Sequence, residues 1–298
     1  MSEYVFKSVG LIGKHNGVGG GESIQALVRL LNSHNIDVTL DDNSASMIGP
    51  SDIRIASRAE IGQHCDLAIV IGGDGSLLNA ARELVDSDTP LVGINLGRLG
   101  FLADILPSTI ETSVEEILRG EYLLEERFLL DCIISSTDGS EKYKSHALNE
   151  VLTHKWNIAR MIELECHING LFLHRTRSDG LIIATPTGTT AYALSAGGPI
   201  VYPTLNAITI VPICPHTMSN RPIVVDGESN IEIVVVDSDR DNVRVTCDGQ
   251  IPFKLLPGER LQVRKAPKPL RLIHPSRHDH FHILRAKLQW AEPPKGQQ

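Results

Sequence analysis

Apolar and polar positions alternate in two different ways along the chain. Up to about residue 120, short apolar runs take turns with stretches of helical spacing. Ser8–Gly13, Ile36–Leu40, Leu67–Ile71 and Pro90–Asn95 read as strands, and Leu67-Ala68-Ile69-Val70-Ile71 is apolar at every position, the pattern of a strand buried on both faces. Ser23–Leu31, Ser76–Val85 and Ile110–Leu118 have helical spacing, with Ser76 placed as an N-cap and Gly120 as the stop of the third helix. Strands alternating with helices across short loops predict an open α/β domain with a parallel sheet over residues 1–126. From Glu126 to His274 the pattern becomes many short β-like segments: Phe128–Ile134, Ala159–Cys166, Leu181–Thr185, Ile208–Pro212, Ile231–Val236, Val243–Cys247 and Arg260–Arg264. Such spacing predicts a β-sandwich-like domain over residues 127–276, interrupted by a short helix at Thr189–Ala196. Helical spacing returns in His280–Trp290, where Ile283, Leu284, Leu288 and Trp290 mark an apolar face expected to dock on the α/β domain, and the tail from Glu292 is expected to fray.

Composition narrows the class. The 298 residues are 42% hydrophobic and 21% charged, ordinary for a globular protein with room for two modest domains. No apolar run approaches the length of a membrane span, and Met1–Lys7 lacks the basic flank and apolar core of a secretory signal. A cytoplasmic protein without membrane contact is expected. The net charge of −8 argues against nucleic acid as a partner and leaves any anionic ligand to be held by local groups. The five cysteines are widely spaced with no Cys-x-x-Cys, so buried reduced thiols are expected rather than a zinc site. His274-Pro-Ser-Arg-His278-Asp-His280-Phe-His282 has metal-like content, yet its place near the C-terminus reads as surface helix and loop.

Chemistry concentrates in two stretches. Gly72-Gly73-Asp74-Gly75-Ser76 closes the apolar strand at 67–71 and opens a helix, so unpaired N–H groups, the helix dipole and bare glycine backbone converge into an anion site. Gly72, Gly73 and Gly75 are the expected phosphate-binding positions. A carboxylate at Asp74, at the carboxyl end of such a strand, serves to take a proton or to organise magnesium. The second stretch runs from Arg177 to Pro199 and holds a strand, the hydroxyl-rich turn Thr185-Pro186-Thr187-Gly188-Thr189-Thr190, a short helix with Tyr192 and Ser195, and a Gly197-Gly198-Pro199 stop. Hydroxyls and free amides suit phosphate and ribose oxygens, and a tyrosine face can wall a planar base. By contrast, Gly17-Val18-Gly19-Gly20-Gly21 reads as a loop, because Glu22 stands where a dinucleotide fingerprint needs its third glycine. No Walker A sequence occurs, so a triphosphate would rely on the glycine turn and magnesium.

Gly72-Gly73-Asp74-Gly75 after an apolar strand resembles a kinase superfamily that includes NAD kinases, diacylglycerol and sphingosine kinases and, more distantly, phosphofructokinases. Together with Asn95-x-Gly97-x-x-Gly100-Phe101-Leu102, Asn149-Glu150, the 179–199 block and Cys247-Asp248-Gly249-Gln250, the chain resembles bacterial NAD kinases over nearly its whole length. It departs at Thr189, where most members carry serine; the hydroxyl is kept. The resemblance implies ATP- and metal-dependent phosphorylation of the adenosine 2′-hydroxyl of NAD, with magnesium as the expected cation. It also implies a site in the cleft between the domains and a C-terminal helix (277–298) that returns to complete the first domain. By motif match Asp74 is the proton acceptor, and Asp74 and Gly75 contact the dinucleotide. Asn149 and Glu150 bind its adenosine half, and Thr190, Ala191, Tyr192, Ala193, Leu194 and Ser195 supply pocket wall and polar contacts. Arg160, Arg177, Asp179 and Gln250 line the same pocket, and His216 lies near it in a structural role. Arginine at 177 goes with members that favour oxidised NAD over NADH. The family forms homo-oligomers, so a dimer or tetramer is expected. The competing readings are a lipid or sugar kinase of the same superfamily, disfavoured by an aromatic content of 4%, and a non-catalytic dinucleotide sensor, which has no need of Asp74.

Overall fold

The computed structural model describes residues 4–14, 20–97, 99–156, 160–237, 243–250 and 252–290. The glycines at 17–19, Arg98, Ala159 and the tail from residue 291 lie outside the described residues. The chain divides into two units, Met1–Glu126 with Leu270–Gln298, and Arg127–Pro269.

In the first unit, strands β1 (Ser8–Gly13), β2 (Asp37–Leu40), β3 (Arg54–Ile55), β4 (Leu67–Gly72) and β5 (Leu91–Asn95) alternate with helices α1 (Gly20–Ser33), α2 (Asp42–Ile48), α3 (Arg58–His64) and α4 (Asp74–Glu83). Helix α5 (Ile110–Leu118) and strand β6 (Tyr122–Arg127) follow. β1 pairs in parallel with both β2 and β4, setting Leu11 beside Leu40 on one side and Ile69 on the other. Every residue of Leu67–Ile71 is buried, as its unbroken apolar pattern requires. The order β3-β2-β1-β4-β5 reverses between β1 and β4, so their carboxyl ends, Gly13 and Gly72, flank the crevice in which open sheets take their ligands.

The second unit holds strands β7 (Leu130–Ser135), β8 (Glu141–Ala147), β9 (Glu150–Lys155), β10 (Ile162–Ile168), β11 (Leu171–Ser178) and β12 (Gly180–Ala184), then the short helix α6 (Tyr192–Ser195). Strands β13 (Ala207–Ile213), β14 (Ile223–Asp226), β15 (Ile231–Asp237), β16 (Val243–Cys247), β17 (Phe253–Lys254) and β18 (Arg260–Lys265) complete it. They form two six-stranded antiparallel sheets, β11-β10-β15-β18-β7-β8 and β14-β13-β12-β9-β16-β17. Alternate residues of both sheets, such as Ile162, Leu164 and Cys166 of one and Leu181 and Ile183 of the other, share a single core.

The chain then returns to the first unit as β19 (Leu270–Pro275) and α7 (His280–Leu288). β19 takes its place in the seven-stranded sheet between β5 and β6, with Leu272 beside Leu91 in parallel. The β-rich unit therefore ends at 269 and not at 276: a strand's own pattern does not say which sheet it joins. Two further expectations are corrected. Ile283 and Leu284 of α7 are buried, but Trp290 is 50% exposed and takes no part in its apolar face. Cys214 is exposed, while the other four cysteines are buried and free.

Candidate active site

Helix α4 begins at Asp74, two residues before the expected cap, with Gly73 at the N-cap and no side chain bonded to the first turn. A glycine there leaves the amides of the helix start open to an anion, where a capping serine would have occupied one of them. Asp74 is turned away from that turn and lies in a cradle of backbone N–H groups. Phe101 N donates to its Oδ2 at 2.9 Å, and Leu102 N and Ala103 N donate to its Oδ1 at 3.0 and 3.1 Å. The segment that supplies these amides is fixed by Asn95, whose Oδ1 accepts from Gly97 N at 2.9 Å and whose own N–H bonds Ile105 O at 2.8 Å. Gly100 is indispensable here: a Cβ on it would sit 2.2 Å from Asp74 Oδ1 and 2.7 Å from Ala103 O. The Asn95-x-Gly97-x-x-Gly100-Phe101-Leu102 motif is thus the holder of Asp74.

A second carboxylate repeats the arrangement in the β-rich unit. Asp248 accepts from Leu148 N at 3.0 Å on Oδ2, and from Asn149 N at 2.7 Å and Glu150 N at 3.2 Å on Oδ1. Asp248 has the left-handed backbone (φ 51°) uncommon for a residue with a side chain. Asn149 O accepts from Thr185 N at 2.9 Å, and a Cβ on Gly188 would lie 2.0 Å from that oxygen, so only glycine lets the turn approach. The neighbouring Glu150 is 7% exposed and its Oε2 is buried without a partner. Burial first, and the Asp248 charge second, push its carboxyl up to about 8. A buried carboxyl with a free oxygen is equipped to bond a ligand hydroxyl.

The hydroxyl-rich turn is less available than its composition implies. Thr185 Oγ1 donates to Leu148 O at 2.5 Å, Thr189 Oγ1 to Pro186 O at 2.6 Å and Thr190 Oγ1 to Thr187 O at 3.1 Å, while Thr187 Oγ1 accepts from Arg127 at 3.2 Å. These groups shape the turn. Along α6, Tyr192 and Ser195 are exposed, Thr190, Ala191 and Leu194 half-buried, and Ala193 is packed with Ile182, Ala184 and Val211. Asp179 pairs with Lys155 Nζ at 2.6 Å. Arg177, exposed on β11, accepts His216 N on its carbonyl at 2.9 Å, which ties His216 to that strand through its backbone. Arg160 and Gln250 are exposed, and Gln250 N bonds Cys247 O at 3.0 Å in the turn that also presents Asp248.

In the first unit a cavity of ≈ 670 Å³ opens at the carboxyl ends of β1 to β4, lined by Lys14, Asp41, Arg58, Gly73, Ser76 and Asn79 among others. Arg58 is committed within it, to Asp41 Oδ2 at 3.2 Å, Asn79 Oδ1 at 2.5 Å and Glu83 Oε1 at 3.0 Å. Asp41 also caps α2 by accepting from Ser44 N at 2.8 Å and holds Gly13 N at 3.1 Å. The sequence pattern gave no sign of this wall, whose residues come from four separate strand ends.

Comparison with known proteins adds an independent line. The family model of the ATP-NAD kinase N-terminal domain matches residues 9–122, and that of the ATP-NAD kinase C-terminal domain matches residues 148–275. An NAD kinase of Nitrosococcus oceani is 48% identical over 285 residues, covering 96% of this chain and 97% of that protein. One of Teredinibacter turnerae is 46% identical over 286 residues, with 96% and 97% covered. Among solved structures, an NAD kinase from Archaeoglobus fulgidus in complex with ATP superposes with a TM-score of 0.75 at 27% identity, over 95% of this chain and 98% of that one. Yeast NADH kinase complexed with NADH shares the fold, with a TM-score of 0.88 over 98% of this chain and 90% of that one at 24% identity.

Proposed function

The chain belongs to the NAD kinase family, and from that premise we propose how its residues divide the work of moving the γ-phosphoryl group of ATP to the adenosine 2′-hydroxyl of NAD. It is a phosphotransferase that takes ATP and NAD as substrates. The observation that carries the reading is the fixed carboxylate of Asp74, the first residue of α4, whose N-terminal end is uncapped by any side chain. Oδ1 accepts two N–H bonds and so has both lone pairs engaged; Oδ2 accepts one and keeps a lone pair for the substrate hydroxyl. In the transfer, the 2′-oxygen bonds to the γ-phosphorus, the bond to the ADP oxygen breaks, and the hydroxyl proton passes to Asp74 Oδ2. Backbone amides of Gly72, Gly73 and Gly75 take the phosphate oxygens. Asn149 and Glu150 hold the adenosine half, with Gly75, Arg160, Arg177, Asp179, Gln250 and the Thr190–Ser195 segment as further contacts. The unpaired Glu150 Oε2 supports a hydroxyl partner at that position.

Magnesium fits this donor set as a companion of the triphosphate. Amide N–H groups cradle anions, and among the described residues no group of three or more ligating side chains gathers about Asp74. The cation would thus be held by phosphate oxygens and water, and when bound it offsets the charge that develops on the transferred group. NADP production in the cytoplasm and a homo-oligomeric state complete the reading. The edge strand β11 supports the latter, because Leu171 and Phe172 stand 75% and 60% exposed on it. No helix among the described residues is long and apolar enough to cross a membrane. Incubating the purified protein with ATP, magnesium and NAD and assaying NADP with an NADP-specific dehydrogenase tests the activity. ATP hydrolysis without NADP, or transfer only to a lipid or sugar, would overturn it.

A further inference from the structure

The histidine run read from sequence as surface is mostly interior. His274 on β19 and His278 in the turn before α7 have side chains 1% and 4% exposed, and both face Asp104, itself 8% exposed. Asp104 Oδ2 lies 3.0 Å from His274 Nδ1 and 2.6 Å from His278 Nδ1, and the two rings stack with centroids 4.0 Å apart. Burial works to raise the Asp104 carboxyl, but the two imidazoles outweigh it and hold it down at about 2. An ionised carboxylate only accepts, so each imidazole carries a proton on Nδ1. Ionised groups are costly to bury, and pairing them often adds no stability over apolar packing. What two charge-assisted bonds do supply is a fixed position. Asp104 directly follows Phe101, Leu102 and Ala103, whose amides hold Asp74. The loop that carries them is closed at its base, where Asn95 N bonds Ile105 O at 2.8 Å and Ile94 bridges Ile105. The C-terminal segment reaches this loop a second time, with Lys287 Nζ 5.7 Å from the centre of the Phe101 ring.

We infer that Asp104, His274 and His278 are positioning residues for Asp74: the two imidazoles anchor the carboxyl-side end of the 101–103 amide cradle, so the C-terminal segment of the chain sets the pose of the proton acceptor. This role rests on the reading of Asp74 as that acceptor. The three residues act through the cradle and not on the substrate. Leu102 N and Ala103 N share Asp74 Oδ1, so a shift of residue 103 is passed directly to the carboxylate. A displacement of about 1 Å in a reacting group can cost roughly a hundredfold in rate. With Asp104 released, the bonds at the base of the loop remain, and the loop loosens locally without unfolding the sheet. Rate should therefore respond, while the affinity for NAD should not.

Backbone amide exchange of the ligand-free full chain reads the cradle without any appeal to catalysis. In Asp104→Ala the amides of 101–103 should exchange about tenfold faster than in the parent. Those of 148–150, held by Asp248 in the other unit, should not change. The kcat for NADP formation should fall about tenfold or more, with NAD affinity within about twofold of the parent. Asp104→Asn, whose side-chain oxygen can still accept both imidazole N–H groups, should lie between the two. Unchanged exchange at 101–103 overturns the anchor whatever the activity. Faster exchange with parental kcat per folded chain overturns the positioning role. A parent that makes no NADP, while its exchange responds as described, overturns the reading of Asp74 and this role with it, leaving a structural brace alone. Should Asp104→Ala fail to fold, His278→Leu removes one of the two donors and is decided by the same readouts.

Discussion

Replacing Asp74 by asparagine separates its basicity from its place in the backbone cradle, and the structure sets the size of both effects. The carboxylate satisfies three amides, one on Oδ2 and two on Oδ1. An asparagine must present NH₂ to one side. Placed at Oδ1 it faces two donors, so it will sit at Oδ2, lose the Phe101 bond and set two donors against each other there. The unmade bond at this half-buried position, with the loss of charge from the two that remain, costs about 1–3 kcal/mol, a drop of roughly 5 °C in melting temperature for a chain of this size. The same NH₂ occupies the position from which the 2′-hydroxyl proton would be accepted. Loss of general-base assistance alone is worth about 10²–10⁴-fold, so kcat should fall at least a hundredfold while NAD affinity changes far less. Measuring kcat, NAD affinity and melting temperature at two magnesium concentrations distinguishes the alternatives. Near-normal turnover in folded Asp74→Asn removes the proposed base, and rate recovery at high magnesium reassigns the residue to the cation. An unchanged melting temperature would contradict the cradle.

Gly100→Ala, with a Cβ 2.2 Å from Asp74 Oδ1, should keep the carboxylate but displace it, lowering kcat at least tenfold with a stability loss of about 1–3 kcal/mol; wild-type kcat would refute the positioning role. Glu150, held up to about 8 by burial and by Asp248, folds preferentially protonated. Its contribution is therefore full below its ordinary carboxyl range and is lost as pH rises toward 8, so the melting temperature of the ligand-free protein should fall over that window and that of Glu150→Gln should not; parallel pH curves would refute the assignment. With arginine at 177, kcat/KM for NAD should exceed that for NADH by at least tenfold, and comparable values would remove the residue as a marker. Truncation after His278 deletes Ile283 and Leu284, worth roughly 3–6 kcal/mol of burial, and also Lys287, whose Nζ lies 5.7 Å from the centre of the Phe101 ring; wild-type melting of the truncated protein would reduce α7 to an appendage.

Periodicity was enough to find the strands that are apolar at every position and the helix Ile110–Leu118, because those patterns are set by burial alone. It was not enough for β3, two residues long and exposed, nor for α2 and α3, whose short amphipathic turns depend on caps at Asp41 and Ser57. The Gly-Gly-Asp-Gly and Asn-x-Gly-x-x-Gly-Phe-Leu stretches were each visible as motifs. That they are one device was not, since hydrogen bonds across 27 to 29 residues leave no periodic trace. The histidine run misled for a related reason: its partner, Asp104, is 170 residues away from His274 in sequence. The threonine turn was legible as polar, but whether a hydroxyl faces ligand or backbone is decided by the fold, and here most face backbone.

The two aspartate cradles bear on how an acidic protein serves anionic substrates. With a net charge of −8, the long-range field offers nothing to a triphosphate or a dinucleotide. Two of the cations are already committed, Arg58 to Asp41, Asn79 and Glu83, and Lys155 to Asp179. The cradles supply oriented backbone instead: the open amides at the start of α4, and loops whose course is fixed because Asp74 gathers the N–H groups of 101–103 and Asp248 those of 148–150. A carboxylate that binds three successive amides is an economical way to fix a loop, since charge-assisted bonds are short and directional. Each cradle also depends on a glycine elsewhere in the chain, for a Cβ on Gly100 would lie 2.2 Å from Asp74 Oδ1 and one on Gly188 2.0 Å from Asn149 O. The glycine permits the approach and the aspartate holds it, with two amides on one oxygen and one on the other in both cradles; the proposed proton acceptor is the holder that also opens α4.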